Sequence, residues 1–252
     1  QTFYNVRWIE LEPGRPNLPS VLGKAGYRTG YVGKFHLYHG QLGPKLAPKE
    51  KTHISDPKIT RIMQKKNDAL IAHIQSCGFD WVGGPEAGNG YPVVSASKRN
   101  LDNEGAKHNL EWEVANALEF IDASAGQEEP FFLYLSTQMY HLMVNLEKNL
   151  LSDYERVGRY TERGCLEKAP EVPMPPRKEI VAEAQKLRPL SDRKKPEEVF
   201  LSSGYDAEFM LWLDYGVKAV LERLEQLGVA DNTIVVFISD NKQAGKSTVY
   251  EG

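Results

Sequence analysis

Six polar side chains follow shortly after stretches that are rich in strand-forming residues. They are Lys34, His36, His141, Asp240, Asn241 and Lys246. The strand-like stretches that precede them lie at residues 27–32, 131–135 and 233–238. Because ligands of open α/β sheets bind beyond the carboxyl ends of the strands, the sequence predicts that these side chains gather at one edge of a sheet.

The residue types in this set suit an anionic substrate. Lysine ammonium groups and a divalent metal would neutralise a sulfate or phosphate group, and imidazoles can move protons near neutral pH. Asp240 and Asn241 offer the hard oxygen ligands that Ca²⁺ and Mg²⁺ prefer. Taken singly, each cluster has a plainer interpretation as a surface Lys-x-His pair, a structural histidine or a turn after a strand.

Several other classes of function are disfavoured by the sequence. The triplet Gly245-Lys246-Ser247 is not a nucleotide-binding phosphate loop, because Asp240 stands where that motif needs its first glycine. The formal net charge of -3 argues against a nucleic-acid-binding protein. No apolar run approaches the roughly 18 residues that a membrane span requires.

Helix-like and strand-like segments alternate along the chain, which predicts an α/β sandwich. We expect helices at residues 17–26, 56–75, 110–122, 178–186 and 205–227. We expect strands at residues 27–32, 79–82, 131–135 and 233–238. The runs at 131–135 and 233–238 are continuously apolar, so both are predicted to be buried, the first of them on both faces. Residues 142–201, which include a cluster of prolines, are interpreted as a long insertion.

Three segments resemble signature regions of the sulfatase family. Residues 18–36 end in Gly-Lys-Phe-His, which is similar to the family's Gly-Lys-Trp-His with Phe35 in place of Trp. The run at 131–135, followed by His141, resembles the family strand that leads to a sulfate-contacting histidine. Residues 233–252 resemble the family's second signature region. The three matches occur in family order and span nearly the whole chain.

The resemblance implies an alkaline-phosphatase-like sandwich, with a mixed, mostly parallel central sheet that is flanked by helices and incomplete at both ends. It implies that Lys34, His141 and Lys246 bind the sulfate oxygens, with His141 as the proton donor to the leaving alcohol. His36 would contact the nucleophile and act as the base in the release of covalent sulfate. These four are the predicted catalytic residues.

The resemblance also implies a metal site and a modified nucleophile. Asp240 and Asn241 would be ligands of a divalent cation, Ca²⁺ or alternatively Mg²⁺. The family's nucleophile is a formylglycine made from Cys or Ser in the motif Cys-x-Pro-Ser-Arg, and neither Cys77 nor Cys165 stands in such a motif. We therefore expect the formylglycine upstream of this chain, which would make residues 1–252 a partial catalytic domain that is inactive alone.

The function that the resemblance implies is hydrolysis of sulfate esters. The expected partner is a sulfated small molecule or a sulfated glycan, with residues 142–201 shaping the alcohol side of the pocket; the oligomeric state is left open. Two alternatives remain: a phosphate or phosphonate ester hydrolase, or an inactive sulfatase-like binding protein. The start at Gln1 and the lack of an Asn-x-Ser/Thr site favour a periplasmic or secreted bacterial protein.

Overall fold

The computed structural model describes residues 11–35, 37, 57–86, 109–137, 159–161, 164–166, 170–187 and 207–238. Its helices are α1 (Leu18–Lys24), α2 (Pro57–Ser76), α3 (Asn109–Ser124), α4 (Arg177–Leu187) and α5 (Ala207–Gln226). Its strands are β1 (Arg28–Lys34), β2 (Trp81–Glu86), β3 (Phe131–Ser136), β4 (Arg159–Thr161) and β5 (Gly164–Leu166). The five predicted helices and the first three predicted strands are confirmed within a few residues. None of these helices could cross a membrane.

A three-stranded parallel sheet in the order β2-β1-β3 forms the centre of the described structure. In its register Gly30 of β1 lies opposite Trp81 on one side and Leu133 on the other. The short strands β4 and β5 pair with each other in antiparallel fashion as a separate ribbon. The predicted α/β class is therefore confirmed, with β1 as the middle strand of the parallel sheet.

Helices cover both faces of the sheet around β1. Tyr31 packs on one face with Leu70 and Ile74 of α2. Gly30 points to the other face, where a Cβ atom would lie only 2.6 Å from the Phe120 ring of α3. Since consecutive strand residues point to opposite faces, α2 and α3 lie on opposite sides of the sheet. The glycine allows the aromatic ring of α3 to rest directly on the backbone of β1.

A second hydrophobic core joins α3 to α4 and α5. Its buried members are Leu110, Val114, Ile180, Trp212, Leu213 and Ala219. Gly216 of α5 faces Leu110 of α3, and a Cβ atom there would lie 3.1 Å from the leucine side chain. Helix α4 belongs to the predicted insertion, yet Ile180 is fully buried in this core. This part of the insertion is therefore integrated with α3 and α5 through apolar packing.

A buried ion pair strengthens the contact between α4 and α3. Arg177 donates from Nε and Nη2 to the two carboxylate oxygens of Glu111, at 2.7 and 2.9 Å. The guanidinium also lies over the Trp212 ring, 4.4 Å from its centroid. Two-point pairing of this kind fixes direction as well as distance, because the planar guanidinium matches the carboxylate. It therefore sets how α4 enters the core.

The prediction of a buried strand at residues 233–238 is wrong. Thr233 is extended (φ -119°, ψ 124°), and its hydroxyl donates to the carbonyl oxygen of Val229 at 2.7 Å. Beyond it, however, the chain pairs with no strand of the described residues, and Ile234 and Phe237 are 92% and 70% exposed. An apolar run becomes a buried strand only when other strands and layers cover it, and the described part of the chain provides none here.

The prediction that β3 is covered on both faces is also wrong. β3 pairs with β1 along one edge, and most of its residues are half-buried. Tyr134 is 43% exposed although its ring stacks on Tyr31. The reason is position: within the described sheet β3 is an edge strand, whereas β1 is flanked on both sides.

Candidate active site

Lys34, the last residue of β1, lies at the carboxyl edge of the sheet and is half-buried. The neighbouring strand β3 ends at the same level, because Gly33 is opposite Ser136, the last residue of β3. The carboxyl ends of β1 and β3 therefore meet, as the sequence predicted. An anion at this edge would find the lysine on the middle strand of the sheet.

The residue before Lys34 interrupts the pairing between β1 and β2. Val32 is opposite Gly83 but Lys34 is opposite Glu86, so the register shifts across Gly33. Gly33 has a φ of +93°, and a Cβ atom there would lie 2.2 Å from the carbonyl oxygen of Ser136. Only glycine fits this position, and it stands opposite two residues of β2, so that the extra residue of the bulge lies in β2. The positive φ and the close contact at residue 33 therefore explain why a glycine precedes Lys34.

Tyr31 reaches the same place from within the strand. Its hydroxyl donates a hydrogen bond to the carbonyl oxygen of Lys34. The side chain is only 5% exposed, and this burial raises the pKa of the Tyr31 hydroxyl far above its ordinary value. The hydroxyl therefore keeps its proton and its role as a donor at neutral pH. Sequence analysis missed Tyr31, since a tyrosine in a strand looks like ordinary core.

A buried carboxylate lies beneath this edge. Glu113 of α3 is 1% exposed, and its Oε1 would be 3.3 Å from a Cβ atom at Gly33. Sequence analysis missed Glu113 too, although a signal was present. The residue falls three positions after Leu110 and one before Val114, inside the buried stripe of the helix. A charged residue within an apolar stripe is unusual enough to mark a candidate functional position.

The other predicted site residues lie outside the described residues. They are His36, His141, Asp240, Asn241 and Lys246. The structure therefore shows the position of Lys34 and leaves the other five as predictions. Within the described ranges, no three or more His, Cys, Asp and Glu side chains are grouped so that they could hold a metal ion.

The described structure is an α/β domain with helices on both faces of a parallel sheet and a lysine at the carboxyl end of its middle strand. The family model described as Sulfatase matches residues 2–250, which is almost the entire chain. The chain therefore belongs to the sulfatase family. This confirms the resemblance on which the site residues were assigned and agrees with an alkaline-phosphatase-like domain.

Several curated proteins are similar to this chain. The uncharacterized sulfatase YdeN of Escherichia coli is 24% identical over 89% of this chain and 32% of its own length. The N-acetylgalactosamine-6-O-sulfatase of Bacteroides thetaiotaomicron is 23% identical, over 89% of this chain and 42% of its own. The N-acetylgalactosamine-6-sulfatase of Mus musculus is 24% identical over 96% and 36%. This chain thus spans between 32% and 42% of the length of these relatives.

The chain also aligns with solved structures. One of them is described as Ps i-CgsB in complex with k-i-k-neocarrahexaose, and it superposes with a TM-score of 0.41 at 14% identity. The alignment covers 85% of this chain and 37% of that one.

Proposed function

We propose that this chain is the part of a sulfatase that binds the sulfate group of a sulfate ester during its hydrolysis. One observation supports this above all. The family match runs across residues 2–250, and the lysine of the family-like Gly-Lys-Phe-His segment lies at the carboxyl edge of the middle strand. A cation held there by a bulge is preorganised to stabilise charge on an anionic group.

The role that we propose for each side chain follows from its chemistry and from the family resemblance. Lys34, Lys246 and His141 bind the sulfate oxygens and lower the cost of bringing an anion to the edge. His141 also gives a proton to the alcohol that leaves. His36 acts as a base near the nucleophile, because an imidazole exchanges protons near neutral pH.

The proposal requires a metal ion and a nucleophile in addition to these residues. Asp240 and Asn241 provide two oxygen ligands of the hard type that suit Ca²⁺ or Mg²⁺. Formylglycine, contributed from outside residues 1–252, would supply the nucleophile for attack on sulfur. Since a calcium ion takes about 6–8 oxygen ligands, further ligands must also come from outside this pair.

A sulfated sugar is the substrate class that we propose. Two of the relatives are named as sulfatases of N-acetylgalactosamine-6-sulfate, although they are only 23% and 24% identical to this chain. Helix α4 brings residues 170–187 of the insertion into the core beside α3 and α5. The insertion is therefore anchored firmly enough to form one wall of a sugar pocket.

The test compares sulfate and phosphate esters of the same alcohol. The full-length protein is assayed with 4-nitrophenyl sulfate and 4-nitrophenyl phosphate, with sulfated N-acetylgalactosamine as a third substrate. We expect turnover of both sulfate esters, with kcat/KM for the aryl sulfate at least about 100-fold above that for the phosphate. A preference for phosphate would instead establish the phosphoesterase alternative, and binding of sulfate without turnover would establish the inactive binding protein.

The metal requirement is tested on the same protein. Removal of divalent cations by a chelator should abolish turnover, and addition of Ca²⁺ should restore it. Asp240→Ala should weaken the Ca²⁺ dependence strongly, whereas Asp231→Ala, which changes an exposed aspartate nearby in sequence, should not. An Asp240→Ala protein with an unchanged Ca²⁺ response would refute the metal assignment.

A further inference from the structure

The irregularity in strand pairing at Gly33 affects how the end of β1 is held. It shifts the register with β2 immediately before Lys34. Lys34 itself pairs with Glu86, but the extra residue of the irregularity, in β2, leaves the ladder next to Lys34 less regular. Lys34 needs a defined direction if its ammonium group is to meet an anion, because a misplacement of about 1 Å can cost roughly 100-fold in rate.

Tyr31 restrains the backbone at the end of β1. Its hydroxyl donates to the carbonyl oxygen of Lys34, so that the hydrogen bond spans Val32 and Gly33, where the register with β2 shifts. The bond connects directly to the backbone of the lysine, where it restricts the rotation of the last peptide unit of β1.

The Tyr31 ring is itself held rigidly. It makes edge contacts with Phe35 and Phe79, at centroid distances of 5.4 and 5.1 Å, and it stacks on Tyr134 at 5.6 Å. Leu70 and Ile74 of α2 complete the cluster. Because the ring is well packed, the Tyr31 hydroxyl has little freedom to move. It can therefore hold the Lys34 carbonyl oxygen in one position.

We propose that Tyr31 is a positioning residue that orients Lys34 for binding of the sulfate group. This inference rests on the proposed function and adds a residue to it. Tyr31 does not touch the substrate; it acts through the Lys34 backbone. The loss of its hydroxyl should therefore weaken every step that depends on the lysine ammonium group and leave the rest of the fold intact.

The variant Tyr31→Phe removes the hydroxyl and keeps the ring. In the full-length protein we expect kcat/KM for an aryl sulfate to fall about tenfold and the inhibition constant of inorganic sulfate to rise by a similar factor. The matched control is Tyr215→Phe, which removes a hydroxyl that donates to Glu183 at 2.6 Å on the exposed side of α5. The control should retain wild-type kcat/KM.

A double-mutant cycle separates positioning from a general structural effect. In a Lys34→Ala background, Tyr31→Phe should change kcat/KM by less than about twofold, because there is no lysine left to orient. An equal loss in both backgrounds would overturn the proposal, and so would a Tyr31→Phe protein with wild-type kcat/KM and sulfate inhibition. A wild-type protein that turns over no sulfate ester would overturn the proposed function, and this inference with it.

Discussion

β1 and residues 233–238 were both predicted as strands, but they have different surroundings. Each is a run of residues that favour strands, and each leads to predicted site residues. β1 has a parallel neighbour on both sides and a helix on each face, and Val32 within it is fully buried. Residues 233–238 pair with no described strand, and Val236 is exposed.

The difference shows that local sequence indicates whether a segment can form a strand, whereas the neighbouring strands and helices determine whether it is buried. A strand leaves its N–H and C=O groups unpaired until another strand lies beside it. Where β2 and β3 provide that pairing, the lysine at the end of β1 acquires a fixed place. Residues 233–238 would need an equivalent partner before Asp240 and Asn241 could be held in the same way.

The largest contrast should come from placing a charge in each region. Val32→Asp puts a carboxylate into the fully buried middle strand, and we expect a loss of about 4–5 kcal/mol in the free energy of unfolding, enough to prevent folding. Val236→Asp puts the same group on an exposed residue and should change that free energy by less than about 0.5 kcal/mol. Urea titration of both variants of residues 1–252 measures the pair. Comparable losses would mean that residues 233–238 are buried in solution.

A second contrast concerns charged pairs in the same two environments. Arg177→Met removes the guanidinium that pairs with the buried Glu111 carboxylate, and a loss of about 3–5 kcal/mol in unfolding free energy is expected. The exposed pair between Arg223 and Asp122 lies at 2.5 Å, but water and salt screen it, so Arg223→Met should have a far smaller effect. Thermal unfolding of the two variants gives the comparison. If Arg177→Met left the melting temperature unchanged, α4 would not depend on this ion pair.

The smallest of these stability effects should separate backbone strain from steric contact at the bulge. Gly33 and Gly228 both have positive φ, but a Cβ atom at Gly228 would meet nothing within 4 Å. Gly228→Ala should cost about 1–2 kcal/mol, the strain of the left-handed conformation alone. Gly33→Ala adds a collision with Ser136 and should cost about 3 kcal/mol. Equal costs, measured by denaturant unfolding, would argue that the bulge relaxes easily.

Local pattern was sufficient to predict the helices and the middle of the sheet. α3 and α5 have long apolar stripes, and the packing that those stripes demand is the packing observed. The position of Lys34 at the carboxyl edge followed from the predicted strand at residues 27–32, which the structure extends to Lys34. The hydrogen bond from Tyr31 and the burial of Glu113 could not be predicted in the same way, because both depend on how distant elements meet.

The prediction of a buried strand at residues 233–238 was wrong for a related reason. Its composition is that of a buried strand, but burial is a property of the neighbours and not of the segment. Its six residues contain no information about which strand would lie beside them. The remaining site residues stay predictions because they lie outside the described residues.

The central claim is that Lys34 stabilises a sulfate group at the carboxyl edge of β1. The most direct measurement is kcat/KM for an aryl sulfate in the full-length protein and its Lys34→Ala variant. The matched control is Lys24→Ala, an exposed lysine in the last turn of α1. We predict a loss of about 100-fold or more for Lys34→Ala, the scale of one preorganised charge contact, and no change for the control. Wild-type kcat/KM in Lys34→Ala would contradict the account.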